Sequence, residues 1–337
     1  MTRTIPANRP PAPQPSPEVV RITHDLVPAA ARRLVQQQGQ EIDEAARRLV
    51  ASAPIHGIDL TFAWGTLGHD AKGVPHVRQV CMGVPGSGRT AMLFLSEPMP
   101  GGDPGGVSAA RTERIACIDA LCAHLGQERP NRVRLAQSLP EPGEAWAIQA
   151  LTDAGFVKVG DLAYLRKPAG AASTEVPAWP EGVRVVRLDQ IEGDREAVLI
   201  GALERTYIDT LDCPELCGLR EVRDVLASHK ATGTFDPSLW WVVYSGTQPE
   251  GCALMSRCPE QRSIELVYLG LGPALRGRRL ARPLLSFAIG HAARGTTLWP
   301  VTCAVDARNA PALRLYQGLG FARFASRVAL VRPITPR

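Results

Sequence analysis

The second half of the chain repeats residues of the first half at a constant separation of 165 positions. Arg111 corresponds to Arg276 in this way, and Gly155-Phe156 corresponds to Gly320-Phe321. The other matches are Arg114 with Arg279, Ala116 with Ala281, Ala145 with Ala310, Ala147 with Ala312, Pro168 with Pro333 and, after a shift of one residue, Val19–Arg21 with Val185–Arg187. A run of matches at one separation indicates duplication of a structural unit. The sequence therefore predicts two copies of one α/β unit.

The chain length agrees with that interpretation, since 337 residues suit two domains of about 150 residues each. Residues 1–16 are rich in proline and poor in apolar bulk, which predicts a disordered tail. Lys167–Glu181 is also low in hydrophobicity and is the natural linker. We expect a first domain over 17–168, a linker over 169–181 and a second domain over 182–337.

Composition excludes several classes of function. The net charge of +5 comes almost entirely from scattered arginines, so we expect no nucleic-acid surface, although an anionic cofactor would be attracted. None of the eight cysteines forms a C-x-x-C pair, and we expect no metal; the near neighbours Cys213 and Cys217 are interpreted as reduced thiols. No leader and no run of 18 apolar residues is evident, which predicts a soluble, cytoplasmic protein without a membrane contact.

Residue patterns in the second copy predict the element order β-α-α-β-β-β-α-β-α-β-β. The predicted strands are Val183–Leu188, Leu239–Tyr244, Gly251–Ser256, Ile264–Leu271, Thr297–Val305, Phe321–Arg323 and Val328–Val331. The predicted helices are Arg195–Tyr207, Glu221–His229, one carrying an apolar stripe from Leu280 to Ala292, and a short one capped by Asn309. The expected fold is α+β, with a mixed, mostly antiparallel sheet flanked by helices in each copy.

The most informative segment runs from Glu265 to Ala281, where an apolar strand leads through a turn with Pro273 into an Arg/Gly-rich loop and then a helix. This arrangement points free backbone N–H groups and the positive end of a helix dipole at one place, which suits a pyrophosphate. Gly277 permits close approach of the backbone.

This segment resembles motif A of the GNAT superfamily of N-acetyltransferases, whose signature is Q/R-x-x-G-x-G/A. The loop reads Arg276-Gly277-Arg278-Arg279-Leu280-Ala281, so the first and last positions fit and Arg279 replaces the central glycine. The later Asn309, Leu315-Tyr316 and Gly320-Phe321 match the second signature region, and the resemblance covers about 150 residues. It implies two tandem GNAT-like domains.

The resemblance also implies an acetyl-CoA site. Pantetheine would lie along the backbone of Leu269, Gly270 and Leu271, where an N–H would serve as oxyanion donor, and Asn309 would contact the pantetheine arm. Pyrophosphate would bind the loop formed by Arg276, Gly277, Arg278, Arg279, Leu280 and Ala281. Glu265 lies 11 residues before Arg276 and would be the general base, and Tyr316 the general acid. The strand pattern places Glu265 on one face with Val267 and Leu269, where desolvation should raise its pKa.

The acceptor is less constrained. The family resemblance suggests contacts from the first two helices and their loop, here the segment that begins at Tyr207. The acidic residues Asp209, Asp212 and Glu215 would suit a cationic amine, and the pocket walls would be Trp240, Trp241 and Tyr268. The alternative, a solvated acidic loop with core aromatics, is equally compatible with the residues. The expected partner is a small-molecule or peptide amine.

The first copy lacks the corresponding residues: Glu113 stands where Arg278 does, and Leu151 stands where Tyr316 does. We therefore expect a catalytically silent first copy. Gly83–Thr90 resembles a phosphate-binding loop but has Arg89 in place of lysine and leads into a strand, so it fits a hairpin. Cys303 has no histidine partner and is interpreted as a buried apolar residue.

Together these features predict an N-acetyltransferase that uses acetyl-CoA, without a metal, for direct attack by a primary amine. Two alternatives stay open: a non-catalytic acyl-CoA-binding sensor or scaffold, and a transferase for longer acyl chains.

Overall fold

The computed structural model describes residues 17–35, 41–69, 72, 75–99, 101–103, 105–127, 133–170, 175–296 and 299–335. The predicted tail over 1–16 and part of the predicted linker, residues 171–174, lie outside these ranges. The strands are β1 Val19–Arg21, β2 Ala63–His69, β3 Pro75–Gly86, β4 Thr90–Leu95, β5 Leu135–Ser138, β6 Val157–Lys167, β7 Val183–Arg187, β8 Trp240–Ser245, β9 Gln248–Cys258, β10 Ser263–Leu271, β11 Val301–Asp306 and β12 Ala322–Pro333. The helices are α1 Val27–Leu34, α2 Glu41–Ser52, α3 Gly106–Leu125, α4 Ala145–Asp153, α5 Arg195–Tyr207, α6 Val222–Lys230, α7 Ala281–Ala292 and α8 Ala310–Gly318.

The chain forms two compact units, of which the smaller comprises Met1–Met82 and Leu95–Ala120. Within it, β1 pairs antiparallel with β2, and β2 pairs antiparallel with β3. The helices α1 and α2 lie against each other. Apolar residues such as Ile22, Ala63 and Ile118 are almost fully buried in this unit.

The larger unit comprises Gly83–Phe94 and Leu121–Arg337. Its strands follow the order β4-β5-β12-β6-β11-β10-β9-β8-β7. Two neighbouring pairs are parallel, β4 with β5 and β10 with β11, and the others are antiparallel. The predicted mixed, mostly antiparallel sheet flanked by helices is confirmed.

The last strands of the two repeats are exchanged between their sheets. The helices α4 and α8 coincide at the separation of 165 residues, and each leads into a long strand, β6 or β12. However, β6 pairs with β11 of the second repeat, and β12 pairs with β5 of the first repeat, while β6 and β12 pair with each other. Each parallel pair is therefore extended by a strand from the other repeat. The predicted domain bounds stay a prediction.

Most element bounds in the second repeat agree closely with the sequence pattern. The strand predicted over Thr297–Val305 is one exception: residues 297 and 298 lie outside the described ranges, and β11 begins only at Val301. The helix predicted over Arg195–Tyr207 has those bounds, and the Asn309 side chain accepts a hydrogen bond from the Ala312 N–H at 3.2 Å, as expected of an N-cap. The two closing strands, predicted over Phe321–Arg323 and Val328–Val331, form one strand, so that prediction is wrong. A bulge at Phe324 shifts the register between Arg323 and Ala325, and Ala325, Ser326 and Arg327 then continue the ladder with β6.

A buried carboxylate fixes the exchanged strand to the second repeat. Asp306 is fully buried at the end of β11 and accepts hydrogen bonds from the Cys213 N–H at 3.1 Å and from the Arg308 backbone and guanidinium. Arg308 also donates to the Val159 carbonyl of β6 at 2.9 Å and pairs with Glu215. Burial acts to raise the pKa of Asp306, but the hydrogen bonds from Arg308 and Cys213 outweigh it and leave the pKa below its usual range.

Replacing Asp306 with Ala should destabilise the protein by about 3 kcal/mol, because its buried donors would lose their charged acceptor. Asp306→Asn should cost less, since the amide oxygen still accepts. As the folded pKa is lowered, the carboxylate stabilises the fold above the unfolded pKa of about 3.9 and loses this effect as the pH falls below it. Urea unfolding at pH 7 and pH 3 measures both effects.

The matched control is Asp161→Asn, since Asp161 is half exposed and pairs with Lys158 at the surface. We expect its free energy of unfolding to change by less than about 0.5 kcal/mol. An equal effect of the two substitutions at pH 7 would contradict the role assigned to Asp306.

Candidate active site

A cleft opens where the parallel strands β10 and β11 separate. They pair only at Ile264–Val301 and Glu265–Thr302, and a bulge then shifts the register of β10 between Leu266 and Tyr268. Beyond the bulge, β10 pairs with β9 alone, so its other edge faces the gap. A cavity of about 430 Å³ fills this gap, and it is lined by the end of β10, the loop after α5, the start of α7 and one face of α8.

The loop after β10 presents backbone amides at the entrance of α7. Among the described residues, the N–H groups of Gly277, Arg278, Arg279 and Leu280 donate no hydrogen bond to a protein acceptor, whereas Leu284 is the first to donate back to the Leu280 carbonyl. Gly277 and Arg279 both have left-handed backbone conformations, with φ of 74° and 59°. Alternation of this kind turns successive N–H groups toward one point and forms an anion-binding concavity at the positive end of a helix.

Arg276 holds this loop in place through its side chain. Its guanidinium donates to the Leu271 carbonyl at 2.8 Å, to the Thr206 carbonyl at 3.0 Å and to the Asp209 carbonyl at 3.3 Å. These bonds join the loop to the C-terminal end of α5. The side chains of Arg278 and Arg279 are exposed.

Tyr316 forms the inner wall of the cleft. It lies on α8, is 6% exposed and borders the cavity together with Asn309. Burial raises the pKa of Tyr316 well above its ordinary value, so the hydroxyl stays protonated at neutral pH. The Asn309 side chain also hydrogen-bonds the Asp212 carboxylate, whose pKa is raised by burial.

Glu265 lies beside a second and larger cavity of about 730 Å³. Thr302 on β11 donates a hydrogen bond to its carboxylate, and burial nevertheless raises the pKa of Glu265. The register places Glu265 opposite Ser256 and Tyr268 opposite Leu254, so the bulge brings Glu265 onto the same face as Tyr268. The expectation that Glu265 shares a face with Val267 and Leu269 is wrong for Leu269, because the bulge breaks the strict alternation, and Val267 is the bulged residue without a partner in β9.

The thiol of Cys303 lies within electrostatic reach of residues that line each of the two cavities. Cys303 lines the larger cavity, and its thiol is buried in β11. Burial raises the pKa of Cys303 to about 12, and the carboxylates of Glu265 and Asp212 contribute to this rise, which places the thiol within electrostatic reach of both. The same thiol raises the pKa of Tyr316. Glu265 and Tyr316 thus approach one short stretch of β11 from different cavities.

The structure places only some of the residues predicted to contact the acceptor at a cavity. Tyr268, Asp209 and Asp212 line the smaller cavity, and Tyr207 packs edge-on against Tyr268 with ring centroids 6.1 Å apart. Trp241 is 1% exposed in β8 and lines neither cavity; its ring packs against the α7 residues Phe287 and His291. A period-2 apolar strand does not reveal whether its aromatic residue faces a pocket or a core.

Sequence reasoning missed Thr302, Tyr164 and Arg166, which line the larger cavity with Glu265. It also missed His229, which stacks on Tyr268 with centroids 5.4 Å apart and whose pKa burial lowers to about 4. Tyr164 and Arg166 belong to β6 of the first repeat. No local signal marks them, because their position depends on the strand exchange.

The corresponding loop of the first repeat has a different structure. At the separation of 165 residues, Arg276–Ala281 correspond to Arg111–Ala116, which lie inside α3 rather than before a helix. Helical hydrogen bonds use such interior N–H groups, so this segment offers no amide-lined loop. Glu113 is 6% exposed and pairs with Arg78 at 2.6 Å. Gly83–Thr90 forms the end of β3 and the turn into β4, with Arg89 in the left-handed region.

The described residues show neither a metal-binding cluster nor a helix that could span a membrane. No group of three His, Cys, Asp or Glu side chains there is arranged to hold a metal ion. The longest described helix, α3, has 20 residues, and neither it nor any other described helix has the sustained apolar run that a bilayer span requires.

Arg279→Gly should make the protein more stable than Arg279→Ala by about 1 kcal/mol. Both substitutions remove the exposed guanidinium, but only glycine adopts the left-handed conformation without the steric cost that a β-carbon imposes. Urea unfolding of the two variants isolates the backbone contribution, and equal stabilities would show that the loop relaxes to another conformation.

Comparison with known proteins agrees with this site. A model of the Acetyltransferase (GNAT) family matches residues 205–321. A mycothiol acetyltransferase of Gordonia bronchialis is 32% identical over 245 residues, which cover 67% of this chain and 77% of that protein. One of Rhodococcus erythropolis is 29% identical over 195 residues, which cover 56% of this chain and less than two thirds, 62%, of that protein.

A solved structure extends the likeness in fold to nearly the whole chain. The GCN5-related N-acetyltransferase from Sphaerobacter thermophilus superposes with a TM-score of 0.57 at 18% identity, covering 95% of this chain and 96% of that chain. At this identity the likeness concerns the fold alone. Taken with the match to the Gordonia relative, the strand separation and the amide-lined loop, it leads to one conclusion: the chain belongs to the GNAT family of acetyltransferases.

Proposed function

We propose that the second repeat transfers an acetyl group from acetyl-CoA to the amine of a small molecule. The observation that carries this proposal is the pair of cavities on the separating strands β10 and β11. An amide-lined anion site lies at the mouth of one, and a partly buried carboxylate lies in the other. The mycothiol acetyltransferase relatives favour a small-molecule acceptor.

The smaller cavity suits the acetyl donor. The pyrophosphate of acetyl-CoA would accept hydrogen bonds from the N–H groups of Gly277 to Ala281, where the dipole of α7 favours negative charge. Pantetheine amides would bond to the edge of β10 over Leu269–Leu271 that β11 leaves unpaired. Asn309 and the apolar face of α8 would border the arm, and the thioester would then lie at the bulge, close to Tyr316.

The reaction needs no covalent enzyme intermediate. The amine nitrogen attacks the thioester carbonyl, a C–N bond forms and the C–S bond breaks. Glu265 takes one proton from the ammonium group and so gives the neutral amine that attacks. As the C–S bond breaks, Tyr316 gives its proton to the departing thiolate, the nitrogen loses its second proton to solvent, and Tyr316 regains a proton from solvent. Backbone N–H groups at the bulge stabilise the oxyanion, and alignment of amine and thioester supplies much of the acceleration.

A thiol-release assay with acetyl-CoA and a panel of amines tests the proposal. Tyr316→Phe should lower kcat by about 10²-fold with little change in the affinity for acetyl-CoA, because only the proton donor is lost. Leu313→Met, on the same helix, serves as a packing control and should keep activity within about twofold. Binding of acetyl-CoA with no thiol release for any amine would instead favour a non-catalytic sensor.

The pH dependence should report Glu265. Because burial raises its pKa, the acidic limb of kcat/KM should lie above the ordinary value of about 4.3, and the rate should rise as the carboxylate loses its proton. Glu265→Gln should remove this limb and most of the activity. A variant that kept the limb would exclude Glu265 as the base.

A further inference from the structure

The larger cavity has a polar row across its floor. Glu265 on β10 pairs with Thr302 on β11, and Thr302 pairs with Arg166 on β6. Side chains of directly paired residues point to the same face of a sheet, and the hydrogen bond from Thr302 to Glu265 agrees with this. A carboxylate and a guanidinium therefore enter one cavity of about 730 Å³ from strands two positions apart.

Arg166 has a guanidinium that is available to a ligand. Its side chain is exposed, and no acidic side chain in the described ranges forms an ion pair with it. The guanidinium lies 4.7 Å from the centre of the Phe324 ring. Stacking of this kind occupies the face of the group and leaves its N–H edge free for two parallel hydrogen bonds to a carboxylate or phosphate.

Aromatic rings separate the two charged ends. Tyr164 and Phe324 line the cavity and pack edge to face with centroids 6.3 Å apart. Neighbouring strands lie about 4.8 Å apart, so the Cα atoms of Glu265 and Arg166 are roughly 10 Å apart. A ligand that reached both would have an amine and an anionic group separated by several bonds, with an apolar part between them.

We propose that the acceptor of this enzyme is an amine that also carries an anionic group, a carboxylate or a phosphate, and that Arg166 binds this group while the amine lies at Glu265. The inference rests on the proposed acetyl transfer and goes beyond it by naming the class of acceptor. It also gives the first repeat a part in specificity, since Arg166 and Tyr164 come from its last strand.

The experiment compares matched acceptors that differ only in the anionic group. With the full chain and acetyl-CoA, kcat/KM is measured for 5-aminopentanoate against 5-aminopentanamide, and for phosphoethanolamine against ethanolamine. We expect the anionic member of one pair to be preferred at least tenfold, which also distinguishes carboxylate from phosphate. Arg166→Gln should lower kcat/KM for that member by roughly ten- to a hundredfold. It should leave kcat/KM for the neutral member within about twofold of its original value. Arg166→Lys should retain part of the preference.

Arg323→Gln is the matched control, because Arg323 is an exposed arginine on the neighbouring strand β12 that bonds to Ser326 and does not line the cavity. This substitution should leave kcat/KM unchanged for both members of each pair. Calorimetry of the same probes with the CoA-loaded protein gives a readout that needs no turnover.

The outcomes separate the two proposals. Equal use of both members of each pair, or a preference that survives in Arg166→Gln, would overturn the anion site while acetyl transfer stands. Binding that depends on the anionic group and on Arg166, without thiol release, would support the anion site and contradict the proposed acetyl transfer. If no probe binds and none is turned over, the anion site is overturned.

Discussion

The site depends on the early separation of β10 from β11. Two residue pairs hold the strands together, and the bulge after Leu266 then directs the rest of β10 to β9 alone. This separation exposes a strand edge to the cleft, gives the Arg276–Ala281 loop its place at the start of α7, and brings Glu265 onto the face of Tyr268. A regular ladder would have closed the cleft between the two strands.

Around this opening, each repeat contributes a different kind of support. The second repeat supplies the loop, the carboxylate and the tyrosine, whereas the first supplies β6, which forms part of the floor of the larger cavity and is held by Arg308 and its buried partner Asp306. The segment of the first repeat equivalent to the amide-lined loop lies within α3, where its N–H groups have helical partners. Loss of the loop in one copy is therefore compatible with a continuing structural role for that copy.

Much of this could be predicted from local pattern. The apolar strand before Pro273, the cap at Asn309 and the helix over Arg195–Tyr207 each have a signal within a few residues, and the structure confirms those elements. The face on which Glu265 lies could not be predicted, because a single inserted residue reverses alternation without changing composition. The core position of Trp241 and the arrival of Arg166 at the cavity depend on which strands become neighbours, and that is decided by packing far along the chain.

The exchange of β6 and β12 has a consequence for how such a chain can be divided. A fragment carrying the second half alone would lose the neighbour of β11 and expose a long unpaired edge to other chains. The exchange makes the stability of the two halves interdependent: neither half can be deleted without opening the sheet of the other.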